Sequence, residues 1–472
     1  MVETKHVPIP TVPDGPLDTS RPHFVGIGGA GMSSLALLLA QRGSTVTGSD
    51  VRSTTVTDRL QAAGATISIG HTGALPGSPS LVIWSSALGT DNTEVAAANR
   101  ASLPVVHRSQ LLAHLVAEVK DSVIVAGTHG KSTTTAMLAS AVGVHLSGWS
   151  GGGDMIATGA NAGTGPGDIF VAEGDESDRS LTAYRPEVAV ILTVDDDHPE
   201  TYVDRDDAIS VYAEFARNAN ALVFSVDDEG ARHVAELVDG QTLAVAYGRS
   251  ANADVRVTGI RPDGTGSLIT LRGPDGVETT LGIAVPGDAA AMNAVAAYTT
   301  GLVLGIDPGT LITGLATFAG VARRMTPVGD ADGVTVMDSF AHHPTAVTAD
   351  IGAARQLSAG GRVVVVFEPS GWTRTAALGE SIGRALAEAD EVVLLPVHSL
   401  LDSPIGKVGT EKVAAAVAEH GTPVHAVPDI TAAGEVCGEL VRPGDLVLTM
   451  GTGAVAEVGE ALLAHTVSAV RS

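Results

Sequence analysis

Short β-branched apolar runs alternate with Ala- and Leu-rich stretches of helical period along nearly the whole chain. That alternation builds parallel sheets covered by helices, so the expected class is α/β. His23–Ile27 reads as a strand, Gly31–Arg42 as a helix with Leu35, Leu38 and Leu39 on one face, and Thr45–Gly48 as a second strand. Runs at Thr66–Ile69, Leu81–Trp84 and Pro104–Val106 extend this βαβ unit to about Lys120, and a fresh strand opens at Ser122. Within the next segment, Gly248–Gly282 carries turn signals at Asp263-Gly264 and Asp275-Gly276, the mark of antiparallel hairpins. From Gly333 onward, Val334–Met337, Arg362–Phe367, Glu391–Leu395 and Asp445–Met450 again alternate with helical stretches. The expected organisation is a floppy Pro-rich leader over 1–22, a Rossmann-like N-terminal domain over 23–120, a central P-loop domain over 121–325 and a C-terminal Rossmann-like α/β domain over 326–472.

The length of 472 residues agrees with three domains at about 150 residues each. Charge narrows the partners: 28 Lys+Arg against 53 Asp+Glu leave a formal −25, with no basic run to hold a nucleic acid. A single cysteine, Cys437, excludes an intrachain disulfide framework and a Cys-cluster metal site, and fits a reducing, cytoplasmic setting. The apolar runs fall well short of the ~20 residues of a membrane helix, so no membrane insertion is expected.

Two glycine-rich turns carry the chemistry. Gly26-Ile27-Gly28-Gly29-Ala30-Gly31 fits G-x-G-x-x-G between a strand and a helix, with Asp50 following the next strand. Bare amides at that helix start suit a diphosphate, whether of a nicotinamide, a flavin or a UDP-sugar, or the glycines serve close packing alone. The second turn, Gly127-Thr128-His129-Gly130-Lys131-Ser132-Thr133, is a phosphate loop. Its amides and Lys131 neutralise phosphate charge, and the Ser132 hydroxyl is within reach of Mg²⁺. Two acidic clusters then follow apolar strands, Glu173-Gly174-Asp175-Glu176-Ser177-Asp178 and Asp195-Asp196-Asp197-His198, both expected at the same sheet edge. Glu173, an oxygen donor, is the better Mg²⁺ ligand and His198 the second functional candidate, while Asp204, Asp206 and Asp207 read as a solvated loop.

Taken in order, His23–Ser33, Gly127–Thr135, Ala172–Asp178, Arg323-Arg324 and Phe340-Ala341-His342-His343-Pro344-Thr345 closely resemble the Mur ligase family of peptidoglycan precursor synthesis, at its first amino-acid-adding step. The resemblance implies that the first domain holds a UDP-sugar, the central domain ATP, and that the third closes over the amino acid. It implies that the carboxylate of UDP-N-acetylmuramate attacks the γ-phosphate of ATP and that L-alanine then displaces phosphate from the acyl phosphate. By position, Lys131 would hold the β/γ-phosphates and Ser132 and Glu173 would serve Mg²⁺. His198 would lie at a second metal site, and His342 and Arg374 would face the amino acid and reacting carboxyl, with Arg323 also in the catalytic set. Gly127, Thr128, His129, Gly130, Thr133 and Asn293 would complete the ATP site. Gly28, Gly29, Ala30, Gly31, Met32, Asp50, Ser85 and Ser86 would hold the UDP-sugar.

The chain also departs from the family pattern. Thr193-Val194-Asp195-Asp196-Asp197-His198 lacks the family's Asn, and Ala289 stands at a His position upstream of Asn293. Ser339 replaces an Asp before the His pair, Glu368-Pro369-Ser370-Gly371 replaces a Gln-Pro-His turn, and Thr452 interrupts a Gly-Ala-Gly-Asp pattern. A ligase with a rebuilt pocket and a paralogue that only binds UDP-sugar or ATP both accommodate these changes. A Rossmann oxidoreductase is a third reading, and it leaves Lys131 without a purpose.

Overall fold

The computed structural model describes residues 15–88, 92–399 and 409–469. Three sheets organise them. The first has five parallel strands in the order Thr66–Ile69, Thr47–Asp50, Pro22–Val25, Leu81–Trp84 and Val105–His107. The central sheet has ten, with Asp121–Ala126 lying between Val188–Ile191 and Ile169–Glu173, all three parallel. At one end of it Val255–Asp263, Gly266–Arg272 and Glu278–Ile283 form the antiparallel hairpins that the Asp-Gly turns announce. The third sheet has six strands, parallel except for Thr326–Ala331, which pairs antiparallel with Val334–Ser339.

Strands buried on both faces read as unbroken apolar runs, and Val363–Glu368 and Asp121–Ala126 are of that kind. One hydrophobic core runs from the strand residue Phe24 and the helix residue Leu38 of the first domain through to Tyr212 and Phe224 of the central one, whereas the third sheet packs around separate clusters that include Phe367 and Val366. Among the described residues, no helix is long and apolar enough to cross a membrane.

Several expectations need correction. Residues 1–14 lie outside the described residues, but 15–22 are no floppy leader: Leu17 packs on the core, Ser80 donates to the Asp18 carbonyl at 2.7 Å, and Pro22 opens the first strand. The proline spacing suggests looseness, yet a proline at the first position of a strand gives up no ladder hydrogen bond. Asp204, Asp206 and Asp207 are not a solvated loop. Asp204 caps the helix Arg205–Arg217 by accepting from the Asp207 amide at 2.9 Å, and Asp207 takes both terminal nitrogens of Arg179 at 2.7 and 2.8 Å. Acidic side chains in a first helical turn are favoured by the helix dipole.

The strands Leu146–Met155 and Ala160–Thr164 escape the hydropathy pattern because Gly148, Gly151, Gly152, Gly153 and Gly163 dilute it. They seat the first domain on the central one. Asn161 donates to the Ala30 carbonyl at 3.2 Å and to Ser33 Oγ at 3.0 Å, and Ser150 donates to Ser34 at 2.9 Å. The glycine turn of the first domain is thereby docked against the sheet that carries the phosphate loop.

Candidate active site where three domains meet

The buried strand Asp121–Ala126 ends in the phosphate loop, and the helix Lys131–Val142 leaves it. Gly130, at φ +84°, turns the chain so that the helix N-terminus faces a cavity of about 990 Å³. A Cβ there would lie 2.4 Å from Asn293 Oδ1, so the loop and Asn293 fit only because position 130 is glycine. Thr128, His129, Gly130, Lys131, Ser132, Thr133 and Asn293 all line the cavity, while Gly127 contributes its carbonyl from behind.

Lys131 folds back over the loop, donating to the Gly127 carbonyl at 2.6 Å and to Glu176 Oε1 at 2.8 Å. Burial opposes its charge, but Glu176, Glu173 and Asp175 outweigh burial and hold the ammonium above its ordinary pKa. Glu173 lines the same cavity as Ser132, and its Oε2 accepts from the Gly152 amide at 2.6 Å. Gly152 admits that carboxylate because a Cβ would stand 3.0 Å from both of its oxygens. Glu176 Oε2 is buried with no hydrogen-bond partner among the described residues. A hydroxyl, a carboxylate and an orphaned carboxylate oxygen around a helix N-terminus fit a hard cation and phosphate together.

His198, at φ +54°, points Nδ1 at Glu200 Oε1 (3.0 Å) and sets Nε2 3.7 Å from both Glu176 and Asp197. Burial opposes protonation, yet the Glu200 hydrogen bond and the charges of Asp197 and Glu176 carry its pKa up to about 9. In this arrangement it is a cation among carboxylates. Arg374, from the third domain, places Nε and a terminal nitrogen on Asp197 Oδ1 at 2.9 and 2.8 Å, tying the third domain to the central one. His342 donates from Nδ1 to the Phe340 carbonyl at 2.8 Å. Burial, with Arg374 beside it, pushes that imidazole down to about 3, so it is neutral.

The structure separates the arginine pair. Arg323 donates to Asp338 at 3.0 Å and to the Gly451 carbonyl at 2.7 Å, away from the cavity lining, while its neighbour Arg324 lines the cavity. Among the first-domain residues expected to hold the UDP-sugar, Ala30 and Gly31 reach the cavity. Gly28, Gly29, Met32, Asp50, Ser85 and Ser86 do not line it. Asp50 accepts from the Gly28 amide at 2.8 Å and so holds the glycine turn, and Ser86 donates to Asp178 at 3.1 Å.

Sequence reasoning missed Arg108, Glu176, Asp197, Arg324 and Asp350. Arg108 crosses from the first domain to Asp175 at 2.8 Å and Asp178 at 2.7 Å, and no local motif marks it. Three of the others were signalled weakly by adjacency to a chosen residue: Glu176 within the first acidic cluster, Asp197 before His198, and Arg324 after Arg323; Asp350 carried no such signal.

This arrangement defines a nucleotide-dependent ligase site, with a phosphate loop facing substrate-holding walls from two other domains. The comparisons agree. The Mur ligase family's catalytic domain matches residues 21–120, its middle domain 125–301 and its glutamate ligase domain 323–453. The chain belongs to the Mur ligase family. It is 43% identical to the UDP-N-acetylmuramate–L-alanine ligase of Streptomyces coelicolor, over 96% of this chain and 98% of that one. It is 40% identical to the enzyme of the same name from Mycobacterium sp. (strain JLS), over 96% of each chain. The crystal structure of the UDP-N-acetylmuramate–alanine ligase from Thermotoga maritima superposes with a TM-score of 0.80 at 25% identity, covering 95% of this chain and 99% of that one.

Proposed function

We propose that this protein is an ATP-dependent ligase that joins L-alanine to UDP-N-acetylmuramate through an acyl phosphate, in peptidoglycan precursor synthesis. The observation that carries the reading is the charged Lys131 in an intact phosphate loop, opening on a cavity walled by all three domains. In-line phosphoryl transfer asks for positioning and positive charge more than for a protein nucleophile. Loop amides from Gly130 to Thr133 and the Lys131 ammonium would hold the phosphates, with Asn293 packed against the turn. Ser132 and Glu173 would hold Mg²⁺, which when bound neutralises charge on the transferring phosphoryl group. His198 would stand beside it as fixed positive charge. Arg324, Arg374 and the neutral His342 would hold the reacting carboxylate and the incoming amine, Arg323 would anchor the loop at Gly451, and Ala30 and Gly31 would meet the UDP-sugar.

The departures favour the ligase over a binding-only paralogue because the structure rebuilds around them. Ser339 donates to Asp350, which brings a carboxylate to the position where the family's own is lost. Ser370 and Thr452, both departures, hydrogen-bond each other at 2.6 Å. Beside the missing Asn, the retained Thr193 accepts from the His129 amide at 3.0 Å through Oγ1 and so props the phosphate loop. The test is purified protein with ATP, Mg²⁺, UDP-N-acetylmuramate and L-alanine, read as phosphate release and product mass. ATP binding with no product from any amino acid would overturn the ligase reading and leave the paralogue.

A further inference from the structure

One cluster is not used by that chemistry. His129 in the phosphate loop, Asp195 in the loop after Val188–Ile191, and His343 at the start of the third-domain helix Pro344–Leu357 converge, with donor atoms all within 4.8 Å of one another. His129 Nε2 lies 3.4 Å and His343 Nδ1 3.9 Å from Asp195 Oδ2. The two rings stack at 4.6 Å between centroids, tilted by 42°.

Two features set this cluster apart from an ordinary interdomain contact. First, His129 Nε2 and His343 Nδ1 are both buried with no aligned hydrogen bond to any described group, and an unpaired buried polar atom is costly without a ligand. Second, the outer partners already set up ligation. His343 donates from Nε2 to the Asp196 carbonyl at 3.1 Å, which leaves the Nδ1 lone pair facing the cluster, the usual orientation of a metal-bound histidine. Thr345 donates to Asp195 Oδ2 at 2.6 Å, and Thr128 Oγ1 accepts from the Asp195 amide at 2.9 Å, so both the carboxylate and its backbone are held.

We propose that His129, Asp195 and His343 form a site for a Zn²⁺-class divalent ion that latches the phosphate loop to the third domain. Ligands at about 2.0–2.2 Å from one tetrahedral ion stand about 3.3–3.6 Å apart, against 3.4 and 3.9 Å from the carboxylate to the two imidazoles here and within 4.8 Å for every pair, so small side-chain shifts close the site. Two imidazoles and one carboxylate select a transition ion over Mg²⁺, which prefers oxygen donors in an octahedron. The site is separate from the Ser132–Glu173 pair and goes beyond the ligase reading. Its ion spans two domains, so it holds them together across the cavity whether or not nucleotide is bound.

Co²⁺ is the probe, added to the metal-free full chain in excess Mg²⁺ without nucleotide. The wild type is expected to give visible d–d bands of low-coordinate Co²⁺, saturating at one equivalent and displaced by Zn²⁺, with a rise in Tm. Asp195→Asn, which keeps the side-chain shape, and His343→Ala should each weaken binding by at least about tenfold. Thr345→Ala should weaken it less, and Glu173→Gln should leave it unchanged. Absence of the bands, bands that survive both ligand substitutions, or bands lost with Glu173→Gln would overturn the proposal. A His343→Ala protein that unfolds leaves the decision to Asp195→Asn.

Discussion

The two walls of the cavity were built by different means. On the central-domain wall, Gly127 through Thr133 follow one another in sequence, and strand, turn and helix place them together without help from elsewhere. Behind the third-domain wall the family pattern is broken at Ser339, Ser370 and Thr452, and these side chains take partners from other elements. Asp350 reaches Ser339 from the next helix, and Thr452 reaches Ser370 from a different strand end, 82 residues away. A contiguous motif keeps its geometry through local backbone, whereas a dispersed wall keeps its chemistry through exchange of partners. Motif losses on the second wall therefore do not measure lost function.

Lys131→Ala breaks the contiguous wall most severely. Removing one charged donor from a site where transition-state charge develops is expected to lower kcat by about 10²–10³, and ATP affinity by roughly ten- to a hundredfold. Steady-state kinetics and calorimetry check this, and unchanged affinity would show that the loop does not hold phosphate.

Gly130→Ala comes next. A non-glycine residue in the left-handed region costs about 1–3 kcal/mol, and here its Cβ would also meet Asn293 at 2.4 Å. Urea denaturation should show that loss, and adding Asn293→Ala should recover the steric part while leaving the backbone part. Full recovery would mean that the φ angle carries no strain.

The rebuilt wall has a pH signature. Burial pushes the Asp350 carboxyl up to about 6 against the opposing Ser339 hydrogen bond and Arg324 charge. A carboxyl raised above its unfolded value makes the folded state bind the extra proton. Stability from this group is present below about pH 4 and is lost as pH rises through about 6. Asp350→Asn should therefore gain stability over wild type above pH 6, with the gap closing toward pH 4, in paired denaturation curves. A gap independent of pH would remove Asp350 as the titrating group.

The smallest effect sharpens the comparison furthest. A double-mutant cycle over Ser370→Ala and Thr452→Val should give a coupling of about 0.5–1.5 kcal/mol, the value of one neutral hydrogen bond. Additive effects would mean that these two departures arose independently and do not compensate each other.

Legibility in the sequence follows the same division. The α/β class, the phosphate loop, the Asp-Gly hairpins and the acidic strand ends are set within a few residues, where hydrophobic period and turn chemistry act directly. The glycine-diluted strands from Leu146 to Thr164 were not legible, because their burial comes from docking against the helix Ala30–Gln41 and not from their own side chains.

From sequence alone came the family resemblance, the three α/β units and the place of Lys131 at the strand-to-helix turn. Tertiary structure alone decided that Arg324 and not Arg323 faces the cavity, that Arg108 bridges two domains, and that Asp350 accepts from Ser339. It also decided that His129, Asp195 and His343 share one point in space. The physical reason is the range of the forces concerned. Backbone turns and hydrophobic period act between neighbours in the chain, while a buried charge or an unpaired imidazole takes its partner from whichever element packing brings within a few ångströms.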